Sequence, residues 1–302
     1  MSEMHGLLLV DKPADMTSHD VVARARKALG QKSVGHTGTL DPIATGLMIL
    51  VLGEATKLSD YLITADKAYA VQVRLGLTTD SLDRTGQVLS ETPSRATADE
   101  VRAAALALQG EVDWPVPLFS AAKVDGKKLY EYGRKGEEIA LPIKRMHFWG
   151  VEVAEAGPQG CSATLQCSKG SFIRTWADQL GRVLKVGGIV QELRRIRNGA
   201  WTVDQAIGLD ALAAPGAALI PMAQALPDWK SVIASEKDAR LMGNGQIAKD
   251  LANRLVVTQK DAFERQEPVF VKVLTGAGEL LAILAAESGQ GLKIRRVFRS
   301  IS

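Results

Sequence analysis

The chain has 302 residues, 46% of them hydrophobic and 24% charged, with a formal net charge of +3. That length admits a large core and more than one domain. A charge this mild does not demand a polyanionic partner, and the apolar run Leu47 to Leu52 is far too short to cross a bilayer.

Gly6-Leu7-Leu8-Leu9-Val10 predicts a buried strand closed by Asp11-Lys12-Pro13. Thr17 and Asp20 form a capping-box pair that opens a helix, and Gly30 ends it. Gly35 to Gly46 then carries glycines, a proline and Asp41, a composition that neither a regular helix nor a central strand accommodates. Leu47 to Leu52 predicts a second strand and Glu54 to Leu62 a helix. Tyr69, Val71, Val73 and Leu75 alternate with polar or small residues, the period of a strand. Thr97-Ala98-Asp99-Glu100 is another capping box, opening a helix through Leu108 that Gly110 stops. Lys128 to Arg134 reads as helix, and Phe148 to Val153 and Ala163 to Cys167 as strands. Gly170-Ser171 opens a helix to Leu184, followed by a Gly187-Gly188 break.

Composition changes near residue 213, where Ala213 to Ala218 and Leu226-Pro227-Asp228 bracket a linker or a short bridging helix. Beyond Trp229, Val269 to Val273, Leu280 to Leu284 and Leu292 to Phe298 predict short strands joined by glycine-bearing turns. The expected fold is α+β: a mixed, mostly antiparallel β-sheet flanked by helices over residues 1–228, and a small β-rich unit over 229–302.

Cys161 and Cys167 fall on one face of a predicted strand and read as reduced thiols in or near a core. Four scattered histidines, with no CxxC or HxxxH spacing, argue against a metal site. No Walker or dinucleotide fingerprint occurs. Met1-Ser2-Glu3-Met4-His5 lacks a basic region followed by a long apolar one, so no secretory signal is expected and the location is read as cytoplasmic.

Charge is distributed unevenly. Lys123 to Arg145 holds seven Lys/Arg against four acids, with Tyr130 and Tyr132 among them. Arg194, Arg195 and Arg197 form a second basic group, and Lys293, Arg295, Arg296 and Arg299 a third. Each alone reads as a solvated face; together they suit a protein that neutralises phosphates over an extended footprint.

Asp41 lies in Gly35-His36-Thr37-Gly38-Thr39-Leu40-Asp41-Pro42-Ile43-Ala44-Thr45-Gly46. An isolated Asp-Pro reads as a turn. A single acid in a structured loop also suits a carboxylate held rigidly near the surface, where chemistry tends to be placed. Tyr69 opens a strand, either as a core residue or as a platform for an extruded base, worth about 1–3 kcal/mol per base. Asp80 and Asp83 sit in a polar turn. Arg174 falls in the first turn of its helix, where the macrodipole favours an acid. It suits a solvated face, or an anion nearby, either a phosphate or Asp41.

With these residues in view the sequence resembles the TruB family of tRNA pseudouridine synthases, which isomerise uridine 55 in the T loop. The resemblance runs through Gly6 to Pro13, Gly35-His36-Thr37-Gly38-Thr39-Leu40-Asp41-Pro42, and Leu52-Gly53-Glu54-Ala55-Thr56-Lys57. It continues through Asp66-Lys67-Ala68-Tyr69, Gly126 to Tyr132 and Cys167-Ser168-Lys169-Gly170. It implies that Asp41 is the catalytic aspartate and Tyr69 the ring that stacks on the target base. Arg174 and Asp83 would form a charged network that orients Asp41. His36, Thr37, Lys12, Phe172 and Leu193 would contact the substrate, and Lys123, Lys127, Lys128 and Arg134 the RNA, within a binding segment at about 121–145. The residues beyond 229 resemble a PUA domain, a β-barrel-like RNA-binding module.

The implied substrate is the T-arm stem-loop of a tRNA, the implied state a monomer, with no membrane association. Phe172 and Phe119 stand where the family often or usually has Tyr; they keep the ring and lose the hydroxyl. Uridine isomerisation exchanges no electrons and imports no group, so no cofactor is expected. Two further readings fit the same residues. One is a non-catalytic RNA-binding or tRNA-folding protein on this scaffold. The other is a carboxylate-dependent glycosidase or N-glycosylase, disfavoured because the loop offers no paired acid at glycosidase spacing, although Asp83, distant in sequence, can lie near in space.

Overall fold

The computed structural model describes residues 3–214 and 216–298. In chain order the first elements are β1 (Gly6–Lys12), α1 (Ser18–Leu29), β2 (Val34–His36), β3 (Thr45–Leu52), α2 (Ser59–Leu62) and β4 (Lys67–Leu75). β5 (Leu77–Thr79), β6 (Val88–Glu91), α3 (Ala98–Ala107), β7 (Gly110–Pro115), β8 (Lys123–Val124), β9 (Lys127–Lys128) and α4 (Leu129–Lys135) follow. Next come β10 (Ile143–Gly157), β11 (Gly160–Cys167), α5 (Ile173–Val183), β12 (Gly188–Asn198), β13 (Trp201–Thr202) and β14 (Leu219–Ile220). The chain closes with β15 (Ser231–Ile233), α6 (Glu236–Gly243), α7 (Lys249–Arg254), α8 (Val256–Arg265), β16 (Val269–Leu274), β17 (Leu280–Glu287) and β18 (Gly291–Val297).

The large sheet runs β14-β1-β3-β12-β4-β11-β10-β7. Its pairings are antiparallel except β3–β12, which is parallel and lasts only from Arg194↔Thr45 to Arg195↔Gly46. Side chains alternate between faces along a strand, and β1 separates two cores by that rule. Leu8 and Val10 join one core with Met48, Leu50, Tyr69 and Val71, covered by α1, α3 and α5. Leu7 and Leu9 join the other with Leu47, Ile49 and Val51. Cys161 and Cys167 both lie in the first core, where burial pushes their thiols up to about 11 and about 12.

The smaller sheet runs β15-β16-β17-β18. Its Leu280 and Ile283, with Phe298, pack into the Leu7–Leu9 core. Trp229 stacks on Phe270 at 4.9 Å and meets Tyr61 edge-on at 5.2 Å, adding an aromatic seam between the two sheets.

The capping boxes at Thr17–Asp20 and Thr97–Glu100 open α1 and α3 as expected, and Gly30 closes α1 in the left-handed conformation. Glu54 to Leu62 differs from its expected helix: a 3₁₀ segment Gly53–Leu58 precedes the single α-turn of α2. The Thr56 and Ser59 hydroxyls bond the carbonyls of Gly53 and Thr56, competing with a continuous α-ladder. α5 starts at Ile173, two residues later than expected, after Gly170 turns the chain with φ 74°. Residues 229–298 are less purely β than expected, because α6, α7 and α8 fill 236–265.

Candidate active site

The loop before β3 holds Asp41, and its shape is fixed from below. Lys12 is fully buried, and its ammonium donates to the carbonyls of Pro13, Met16 and Pro42 at 2.8, 2.7 and 3.1 Å. Burial lowers its pKa to about 8, while Asp15 and Asp41 oppose that shift. Ser18 adds a second brace: its hydroxyl accepts from the Leu40 N–H and donates to the Leu40 carbonyl. Gly46 lets β3 approach β12, since a Cβ there would lie 2.3 Å from the Arg195 carbonyl oxygen.

Arg174, in the first turn of α5, reaches this loop. It is 3% exposed, and its Nε and Nη2 donate to the two carboxylate oxygens of Asp41 at 2.9 and 3.0 Å. Its other donors go to the carbonyls of Ser81 and Phe119, both at 2.8 Å. Asp83 stands 4.0 Å from Nε and is itself held by Ser81 and Thr85. A cation at a helix N-terminus is unfavourable alone; a bidentate carboxylate and two carbonyls compensate it. Asp83 is tied to β12 by a bridge to Val190, ahead of the stretch where β12 pairs with β3.

Asp41 and Tyr69 open onto one cleft of about 790 Å³, whose walls include Phe172, Leu193, Arg195 and Ser120. Tyr69 is nearly buried, and burial raises its phenol pKa. Phe172 lies under the Lys144 ammonium, 5.9 Å from the ring centre. His36 is half-buried, with Nδ1 accepting the Gly38 N–H at 3.3 Å, and burial followed by the charge of Arg195 lowers its pKa. Thr37 is 1% exposed, and among the described residues its hydroxyl has no partner.

Lys12 and Thr37, expected from the resemblance to contact the substrate, lie deeper than the other site residues. Both are buried; Lys12 braces the loop through its three carbonyl bonds, and neither is among the walls of the cleft.

The basic groups also sort differently from their sequence reading. Arg194 forms a bidentate pair with Asp11 at 3.0 and 2.7 Å, Arg195 is buried, and Arg197 donates to Gln166 and to the Gly199 carbonyl. Lys293 and Arg295 both pair with Glu287, and Arg296 pairs with Asp60; Arg299 lies outside the described residues. Lys123 and Lys127, on the β8–β9 hairpin, and Arg134, on α4, remain exposed. Lys128 and Arg134 flank the Tyr130 ring at 5.4 and 5.2 Å. This hairpin and helix continue from Ser120-Ala121-Ala122 at the cleft wall. Lys67 and Arg195 also line the cleft, although the sequence marks Lys67 only as part of a motif and Arg195 only as one of a basic group. Lys67 donates to the carbonyls of Ile63 and Ala65, and burial lowers its pKa to about 8.

The N-terminal domain of the TruB family of pseudouridylate synthases matches residues 26–173, the span that carries Asp41, Tyr69 and Asp83. Over 306 aligned residues the chain is 44% identical to the tRNA pseudouridine synthase B of Bdellovibrio bacteriovorus, covering 99% of this chain and 98% of that protein. The chain belongs to the TruB family. A second TruB relative, the tRNA pseudouridine synthase B of Ralstonia pickettii, is 41% identical over 253 residues, 81% of this chain and 80% of that one. TruB enzymes isomerise uridine to pseudouridine in tRNA, and this chain is accordingly an isomerase that acts on tRNA. The fold is also that of a chain in a solved Cbf5-Nop10-Gar1 complex, with a TM-score of 0.70 and 22% identity over 98% of this chain and 85% of that one. No helix of the described residues is long and apolar enough to cross a membrane.

Proposed function

We propose that the chain converts uridine 55 of the tRNA T loop to pseudouridine, with Asp41 as the acting carboxylate. The observation that carries this reading is the doubly bonded Asp41–Arg174 pair at the mouth of a cleft shared with Tyr69. A stacked loop base is out of reach of an enzyme, so it must be extruded, at a cost of a few kcal/mol. Tyr69 would receive the extruded uracil on its ring, and Phe172 and Leu193 would close on it. Asp41 then acts as the N1–C1′ bond breaks, the base turns, and C5 joins C1′. The C5 hydrogen leaves as a proton and N1 gains one, so atoms balance and no cofactor or metal is called for. Arg174 holds the carboxylate in place, and Asp83 backs the guanidinium.

Exposed Lys123, Lys127 and Arg134, with Lys128 beside them, would carry the phosphates of the T arm, and His36 would lie near the extruded nucleotide. The chain divides near residue 228 into a catalytic part, 1–228, and a PUA-like RNA-binding part, 229–302; the separate β15–β18 sheet supports this division. A monomeric, cytoplasmic enzyme agrees with the substrate. The test is reaction with an unmodified tRNA transcript, followed by carbodiimide mapping of the altered nucleotide. Pseudouridine at position 55 supports the reading; unaltered RNA or a lost base refutes it.

A further inference from the structure

Arg195 stands directly opposite Tyr69 in the pairing of β12 with β4. It is 1% exposed, yet among the described residues no carboxylate forms an ion pair with it. Its Nε donates to the Leu47 carbonyl at 2.7 Å, Nη2 to Gly38 at 3.1 Å and Nη1 to Thr39 at 3.5 Å. A Cβ on Gly38 would lie 3.5 Å from Nη1, so the guanidinium rests against the bare loop backbone. A buried cation without an anion is costly, and an apolar side chain would fill the space more cheaply. What the arginine adds is the set of atoms its fork joins.

We propose that Arg195 is a positioning residue that fixes Tyr69 relative to Asp41. Its guanidinium holds the loop two and three residues before Asp41, while its backbone lies directly opposite Tyr69 in the strand pair and both side chains line the same cleft. The inference rests on Asp41 and Tyr69 being the acting carboxylate and the base platform. The carbonyls of Gly38 and Thr39 accept from Arg195, and that of Leu40 from Ser18, so side chains set the approach to Asp41. Burial raises the Tyr69 phenol pKa while the charge of Arg195 opposes that shift, in keeping with their opposed positions across β12 and β4. Arg174 fixes the carboxylate from α5; Arg195 fixes the loop against the strand that carries the ring.

The test uses the full chain and an unmodified tRNA transcript. Single-turnover rate and filter-binding affinity are measured for Arg195→Lys, Tyr69→Phe and the double variant, each corrected for folded fraction by circular dichroism. Arg195→Lys keeps charge and stem but loses the fork. Its rate is expected to fall about 100-fold with affinity within about threefold of wild type. Tyr69→Phe is expected to lose about tenfold in rate, and the double variant to stay within about threefold of Arg195→Lys, because both changes disturb the same placement of ring against loop. A wild-type rate in either single variant overturns the proposal, as do losses that multiply in the double variant. A rate loss matched by lost folded protein in both Arg195→Lys and Arg195→Gln also overturns it. Asp41→Asn separates the two readings: full turnover there removes the catalytic assignment itself. An inactive Asp41→Asn beside an unaffected Arg195→Lys removes only the role of Arg195.

Discussion

Arg174 grips Asp41 through both carboxylate oxygens, and the same guanidinium bonds the carbonyls of Ser81 and Phe119. Three loops far apart in sequence therefore meet on one side chain. Asp41→Asn puts an amide donor against one of the guanidinium donors and removes the charge. Turnover is expected to drop on the order of 1,000-fold or more, while tRNA affinity stays within about threefold, since phosphate contacts supply most of it. Tritium release from C5-labelled tRNA, measured beside filter binding, decides this. Release above a tenth of the wild-type rate would take Asp41 out of its assigned role.

Tyr69→Phe keeps the ring that faces the cleft. Stacking is sequence-tolerant and depends on the π-face, so RNA affinity is expected to match wild type within about twofold. A collapse of affinity in filter binding would mean that the hydroxyl matters more for binding than the ring does.

Gly46 sits at the parallel seam with φ 99°, and an added Cβ would lie 2.3 Å from the Arg195 carbonyl oxygen and 2.8 Å from its nitrogen. Both contacts are backbone, which cannot swing aside. Gly46→Ala is expected to cost at least about 3 kcal/mol of stability, from strained backbone and forced separation of β3 and β12. Urea denaturation reads this directly; an unchanged midpoint would show that the seam can yield.

His36 gives a pH dependence with a defined sign. Burial and the nearby Arg195 hold its folded pKa below the ordinary value of 6.5. On acidification the unfolded chain takes up this proton first, so the unfolded state binds more protons and is favoured. Stability from this group is full above pH 6.5 and falls as pH drops from there through the folded pKa. Urea midpoints between pH 7 and 5 are expected to fall more steeply for wild type than for His36→Gln. Parallel curves would exclude the imidazole as the source.

Local signals carried much of the fold. Thr17 with Asp20, and Thr97 with Glu100, marked helix starts from side-chain chemistry alone. β12 was not legible, although it is central to the sheet. Its Arg194, Arg195 and Arg197 resemble a solvated basic run, and irregularities after Val190 and Arg195 break the alternation that betrays a strand. Ser235 and Asp238 do form a capping box at α6, a signal in the sequence that a β-rich reading passed over. In the candidate site, the resemblance singled out Asp41, Tyr69, Arg174 and Asp83, and the structure brings them together. The carbonyl-bound Lys12 and Arg195 act on backbone atoms, which carry no residue-specific trace in a sequence.

Phe298, Leu280 and Ile283 lie against Leu7, Leu9, Leu47 and Ile49. A protein cut short near residue 228 would therefore let water in under β1 and β3. The other face of β1 carries Lys12, and β3 follows the turn that holds Asp41, so the damage would surface as misplaced chemistry one strand's thickness away. The tail would thus serve as a keel for the proposed reaction centre.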